Sequence, residues 1–295
     1  MRGTTSLGDR VFHLINYAFL SLIAIAALFP FWNQLLISLS SREFLYTVGT
    51  LWYPKSLNLD SYQSILHYDA LWRGYGNTLA RTILGVVLSV FFTALTAYPL
   101  SKRKLPFNKP LTLFVLLPLL FNGGLIPTYL LIKELGLMNS IWALVLPGLI
   151  APVNVFLIRN YFRSLPGELE ESAIIDGASS LKIFIRILLP LSMPILATIA
   201  LWVGVAHWLA WYDAFLYLSD TSKWVLQLVI RRILIDHRPQ DALAAATQVF
   251  GQTDAVDIRQ LNAAVVMVSI IPMLFVYPFL QKFFIKGLLH GAVKG

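Results

Sequence analysis

There is no cysteine in this chain of 295 residues. Disulfides, thiolate metal sites and a cysteine nucleophile are excluded, and thiol chemistry gives no clue to compartment. Charge is scarce as well: Asp, Glu, Lys and Arg make up 13% against 57% apolar residues, and mean hydropathy is +0.70. A soluble globular domain carries about 25% charged residues, so the deficit excludes that class and leaves a polytopic membrane protein. Catalytic motifs are missing too. No Gly-x-x-x-x-Gly-Lys-Ser/Thr loop is present, since Gly287, Gly291 and Gly295 lack the residues that would complete it. The chain has no phosphate cradle of its own. The five histidines, His13, His67, His207, His237 and His290, are scattered, with no second ligand at metal spacing. Gly-x-Ser-x-Gly and His-Glu-x-x-His are absent. No metal site, cofactor or catalytic activity is expected of this chain.

The cations outnumber the acids, 23 to 15, for a formal charge of +8. In a membrane protein such an excess marks cytoplasmic loops, so it gives no reason to expect nucleic-acid binding. A spanning helix needs about 20 mostly apolar residues. Six stretches qualify: Val11–Ser38, Thr78–Leu100, Leu111–Ile132, Ile141–Phe162, Ile187–Ala210 and Ala263–Phe284. The first run is too long for a signal-peptide core and lacks a small-residue cleavage site, so it reads as a retained span. An all-α bundle of six transmembrane helices in one domain, 1–295, is the expected fold. Ser101–Lys109 holds Lys102, Arg103, Lys104 and Lys109 without an acid, and the tail holds Lys282, Lys286 and Lys294 without one. Both are read as cytoplasmic, and an even number of spans then puts both termini there. Segments 39–76 and 218–261 mix signs and are read as extracytoplasmic.

On this topology residues 164–190 form a cytoplasmic loop. Ser164 is a candidate N-cap, Pro166 suits a first helical turn, and Glu168, Glu170 and Glu171 favour the positive end of the helix dipole. Asp176-Gly177 breaks that helix, and Ser179 or Ser180 can cap a second into Leu181-Lys182. Small residues at Ala173, Gly177 and Ala178 allow close approach to another surface. Pro190 and Pro194 keep the loop helix from running straight into the fifth span. The expected unit is helix, elbow, helix.

The other polar concentration is His207-Trp208-Leu209-Ala210-Trp211-Tyr212-Asp213, at the external end of the fifth span. Aromatic faces beside an acid suit stacking on sugar rings and bonding their hydroxyls, while Trp and Tyr also gather at membrane interfaces for purely physical reasons. Asp213 stands out because an ionisable group near the membrane core tends to face a cavity or a partner. Trp208, Trp211, Tyr212 and Asp213 are candidate substrate-path residues, and Asn122, Tyr129 and Asn154 join them as polar groups in or beside broken spans. Phe121-Asn122-Gly123-Gly124-Leu125-Ile126-Pro127 interrupts the third span, which should bend there.

Glu171-Ser172-Ala173, Gly177 and Ile187-Leu188-Leu189-Pro190 together resemble the EAA loop of ABC importer permeases, with Ser172 replacing the usual first Ala. The resemblance extends over nearly the whole chain to the carbohydrate-importer branch of MalG type. Asn77-Thr78-Leu79, Ala97-Tyr98, Leu135-Gly136-Leu137 and Gly291-Ala292-Val293-Lys294-Gly295 carry it. Phe121–Tyr129 is similar to the sub-branch containing LplC and the smaller permease of the alginate importer. Where that family reads Trp-Asn-Asp/Glu-x-Phe, this chain departs at Tyr212.

The resemblance implies a MetI-like, type I importer permease in a bacterial inner membrane, importing oligosaccharides, including acidic, uronate-containing ones. It implies partners too: a second homologous permease, two ATPase subunits that bind ATP and Mg, and an extracytoplasmic sugar-binding protein. Glu170, Glu171, Ser172, Ala173, Asp176, Gly177 and Ala178 would then form the helix that seats in a groove of the ATPase. The competing reading is an ion-coupled secondary transporter without an ATPase. It predicts an intramembrane acid or histidine relay and often an inverted repeat, and the spans are nearly free of acids.

Overall fold

A computed structural model describes residues 7–41, 43, 52, 53, 56–235, 257, 259–272 and 274. All regular structure among them is helical. Outside the described residues lie the last part of the sixth expected span, the C-terminal cations with Gly291–Gly295, and all of 236–256, His237 included. The chain divides into two compact units, Met1–Asp69 with Arg232–Ile271, and Ala70–Arg231 with Pro272–Gly295.

In the first unit α1 (Leu7–Leu39) matches the first expected span to within a turn at either end. Its side chains from Val11 to Trp32 are largely exposed, as in a helix that faces hydrocarbon, and burial begins only in the last turns with Leu36 and Ile37. Those two pack on Ala263 of the Arg259–Pro272 helix. Within segment 39–76 lies a short helix, α2 (Asp60–Leu66). Ser38 Oγ meets Tyr62 Oη at 2.7 Å, and the Asn58 amide accepts from Gln260 Nε2 at 3.3 Å.

The axis of the second unit is α3 (Asp69–Ser101), the second long apolar helix. Its buried positions, Leu71, Gly74, Thr78, Arg81, Gly85, Ser89, Thr93 and Ala97, recur every three or four residues and so fall on one face. Most are small, which lets neighbouring backbones come close.

The third expected span is two helices, α4 (Asn108–Leu120) and α5 (Leu125–Glu134), bent by 112°. The bend expected at Phe121–Pro127 is there, and it is sharp. Gly124 takes φ +87, a left-handed conformation that glycine adopts without strain, and the Asn122 Oδ1 accepts the Gly124 N–H at 2.9 Å. The fourth expected span is split between α6 (Trp142–Val145) and α7 (Pro152–Ser164), because Pro147 and Pro152 lack the N–H a continuous helix needs. Among the described residues, two helices are long and apolar enough to cross a membrane, or four if each bent pair is one span.

After the loop that follows α7 come α8 (Glu168–Ile175), α9 (Ser180–Ile183), a π turn at Phe184–Leu188, α10 (Leu189–Leu191) and α11 (Met193–Leu209). The break in the fifth expected span lies at Ser192, where Ser180–Leu191 and Met193–Leu209 meet at 81°. Pro190 sits inside the first of these pieces and Pro194 in the first turn of the second, so the break lies between the two prolines. α11 runs antiparallel to α3: His207 packs on Gly85, and Gly204 packs on Val86 and Thr82. A Cβ on Gly85 would press into the His207 ring, its Cε1 only 2.8 Å away. Two clusters close the unit. One joins Ala94, Ala97, Val155, Ile158, Phe162, Phe184 and Ile199. The other joins Ile132 and Leu144 to Ala214 and Tyr217 of α12 (Tyr212–Tyr217), and to Leu228 of α13 (Leu226–Ile235).

Candidate functional site

The elbow begins one turn later than Ser164 and Pro166 suggest. Ser164 closes α7 instead, donating through Oγ to the Tyr161 carbonyl at 2.8 Å, and α8 starts from Gly167, whose carbonyl accepts from Glu170 and Glu171 at 3.0 and 3.1 Å. Glu168, Glu170 and Glu171 do occupy the first turn, where the helix dipole favours anions. At the other end the Ala178 N–H reaches the Ala173 carbonyl at 2.9 Å and the Gly177 N–H reaches the Ile174 carbonyl at 3.0 Å. That bond pair is a Schellman closure, and it puts Gly177 at φ +77. Nothing lies within 4 Å of a Cβ built on Gly177, so within this chain the glycine is there for its backbone and not for space. Ser179 then caps α9, accepting the Lys182 N–H at 3.4 Å.

Ala173, Ile183 and Phe184 hold the elbow in the first core cluster. Phe184 stacks on Tyr98 of α3 with centroids 5.5 Å apart, and Tyr98 meets Phe162 of α7 edge-on at 6.4 Å. Arg163 donates to the Leu100 and Ser101 carbonyls at 2.9 and 3.1 Å, capping the end of α3. Lys102, over the Tyr98 ring at 4.6 Å, pairs with Glu170. The loops carrying Lys102 and Glu170 thus lie at one end of α3. Because Lys102 and Glu170 keep 34% and 20% side-chain exposure, their coupling should not exceed about 1 kcal/mol in a double-mutant cycle of Lys102→Ala and Glu170→Ala. Thermal denaturation of the detergent-purified protein measures it, and a much larger value would mean that the pair is shielded from water. The outward face carries Glu171, Ser172, Ile174, Ile175 and Asp176; Ile175 is 86% exposed. That rim exposes apolar and acidic side chains side by side.

The opposite end of the unit is organised by Arg81, a residue that sequence reasoning missed. Its side chain is 2% exposed and pairs with Asp213 through both guanidinium nitrogens, Nη1 to Oδ1 at 3.2 Å. Nη1 also donates to the Ala210 carbonyl at 3.2 Å, and Nε to His207 Nδ1 at 3.2 Å. An arginine only donates, so His207 accepts through Nδ1 and carries its proton on Nε2. Arg81 therefore pins the corner between α11 and α12. The signal was available, because Arg81 is the only charged residue within Thr78–Leu100 and a charge in a span needs a partner.

Of the candidate path residues, Trp208, Trp211, Tyr212 and Asp213 sit at or beside this corner. Trp208 is buried, with Tyr75 at 6.3 Å; Trp211 meets Tyr212 edge-on at 5.4 Å. Tyr129 stacks on Tyr217 at 6.1 Å, at the rim of the cluster that α12 enters. Asn122 serves the turn between α4 and α5, and Asn154 is buried in the first turn of α7. Nearby, Asn139 at φ +57 ties its loop to 217–220, its Oδ1 accepting from Ser219 and Asp220 N–H groups at 2.7 and 3.0 Å. A cavity of about 300 Å³ opens beside it, lined by Asn77, Asn139, Ser140 and Lys223 among others. The Ser222 hydroxyl and N–H hold the Asp220 carboxyl below its ordinary pKa.

Residues 71–290 match the family described as the binding-protein-dependent transport system inner membrane component. The chain belongs to that family. This inner-membrane permease is 38% identical over 287 residues to the polygalacturonan/rhamnogalacturonan transport system permease protein YtcP of Bacillus subtilis (strain 168), covering 97% of this chain and 99% of that one. It is 40% identical over 289 residues to protein LplC of the same strain, covering 97% and 96%. Among solved structures, a bacterial ABC transporter involved in the import of the acidic polysaccharide alginate contains a chain of similar fold. The TM-score is 0.86 at 30% identity, covering 95% of this chain and 99% of that one. The expected MetI-like, all-helical permease fold therefore stands, and a permease subunit of this family is a transport component rather than a catalyst.

Proposed function

We propose that the chain is the permease subunit of an ATP-driven importer of uronate-containing oligosaccharides. It would work with a second homologous permease, two ATPase subunits that hold ATP and Mg, and an extracytoplasmic solute-binding protein. The observation that carries this reading is the elbow: Glu170, Glu171, Ser172, Ala173, Asp176, Gly177 and Ala178 form a rigid turn with its outer rim exposed and its inner side locked to the end of α3. On this reading the elbow seats on an ATPase, six spans place both termini in the cytoplasm, and the corner at Trp211–Asp213 lies toward the substrate. Arg81 is 20 residues from Ser101, about 30 Å along α3 and about the thickness of the hydrocarbon core. A single rigid helix thus links the two ends, the mechanical requirement for coupling. The acidic substrate class rests on the names of the polygalacturonan and alginate systems to which the chain is similar.

Ion-coupled transport would need a relay. Here Arg81 occupies both Asp213 oxygens and His207 Nδ1, an arrangement that locks these groups together. The deciding experiment reconstitutes the complex in nanodiscs and measures ATPase activity with loaded binding protein and a panel of neutral and uronate oligosaccharides. Several-fold stimulation by the uronates is the expected result. Stimulation by neutral sugars alone would move the substrate class, and failure of any ATPase to bind would end the coupling reading.

A further inference from the structure

Arg81, Lys223 and Arg231 lie around α12 and α13, and the first two are already committed. Arg81 is taken up by Asp213 and His207, and Lys223 Nζ donates to the Asn139 carbonyl at 2.9 Å with Asp220 at 3.9 Å. Arg231 differs. Its guanidinium carbon stands 3.8 Å from the centroid of the Trp211 ring, it is exposed, and it pairs with no carboxylate among the described residues. Asp213 is two residues from Trp211 but is held by Arg81, so it does not neutralise Arg231. A guanidinium is planar and carries its N–H donors at its edges, so one centred over an indole face can still meet a carboxylate through two parallel hydrogen bonds. Beside it Tyr212 meets Trp211 edge-on, and Tyr212 and Phe215 are 48% and 62% exposed. Trp211 itself is packed against the buried cluster of Ile132, Tyr217 and Leu228, so the platform is backed by core.

We propose that Arg231, fixed on Trp211, binds the carboxylate of an acidic sugar unit whose pyranose ring lies on Tyr212. The proposal rests on the importer reading and adds to it the recognising group. A neutral sugar gains only the ring contact there; a uronate gains a bidentate ion pair as well. Selection for acidic units would then be made by the permease in addition to the protein that delivers them.

The test compares the wild-type complex with Arg231→Gln and Arg231→Lys in proteoliposomes, using trigalacturonate and its methyl ester. The wild type is measured first. Absence of trigalacturonate uptake in an assembled complex would overturn the acidic-substrate reading itself. With wild-type uptake present, Arg231→Gln should lower trigalacturonate uptake about tenfold and ester uptake less than twofold. Arg231→Lys, which keeps charge but loses the flat fork, should recover at least a third of the wild-type rate, and this comparison stands alone if the ester is not carried. Equal losses for both sugars, no loss for trigalacturonate, or a lysine variant as low as the glutamine variant would each overturn the assignment. Failure of Arg231→Gln to co-purify with the second permease would also overturn it, by showing that the cation serves an interface between subunits.

Discussion

Asp213→Ala is expected to destabilise the protein by about 3–5 kcal/mol, the range for stripping one partner from a buried ion pair. The cost falls on what remains. Arg81 is 2% exposed, and with Asp213 gone its charge keeps, among the described residues, only His207 Nδ1 and the Ala210 carbonyl as partners. Removing the other partner should hurt less, because the Asp213 side chain is 29% exposed and can turn to water. Arg81→Met is therefore expected to cost less than Asp213→Ala, and the double variant should recover part of the loss, since no unpaired charge is then left. Thermal unfolding of the purified protein in detergent gives the three values. If Asp213→Ala melted with the wild type, Arg81 would have another counter-charge, and its role in pinning the corner between α11 and α12 would be lost.

That pair shows why the fold was more legible than the site. The ends of α1 could be read to within a turn because they depend only on a local apolar run, and Gly177 could be read because a Schellman closure is local as well. Ser164 was misplaced by the same local logic. A serine four residues before an acidic stretch looks like an N-cap, yet its hydroxyl bonds back to Tyr161, while Arg163 beside it caps α3. Asp213 could be seen to need a partner, but the partner is 132 residues away, and no periodicity links positions so distant. In the fifth span the bend falls at Ser192, between the two prolines that signalled it, Pro190 and Pro194. Asn122 and Asn154 were polar residues in broken spans. The turn after α4 accounts for the first, and the breaks themselves account for why such residues are tolerated there.

Gly177→Asp is expected to abolish coupled transport while leaving the fold nearly intact, and the structure separates these effects. Any side chain at φ +77 pays for a left-handed backbone, about 1–2 kcal/mol for most residues. Asp and Asn tolerate that conformation better than Ala, and no atom lies within 4 Å of the new Cβ. Gly177→Asp should thus unfold no more readily than Gly177→Ala. The elbow would still close through the Ala178-to-Ala173 hydrogen bond. What changes is the outer rim beside Ile174, Ile175 and Asp176, where a second carboxylate next to Asp176 would have to enter the ATPase surface. Uptake in proteoliposomes is expected to fall more than tenfold in Gly177→Asp and only a few-fold in Gly177→Ala, with Gly177→Asn between them because it adds the bulk without the charge. Co-purification of the ATPase should weaken in the same order. Should Gly177→Asp transport like Gly177→Ala, the rim would not be the surface that meets the ATPase, and the elbow would be a structural turn at the end of α3.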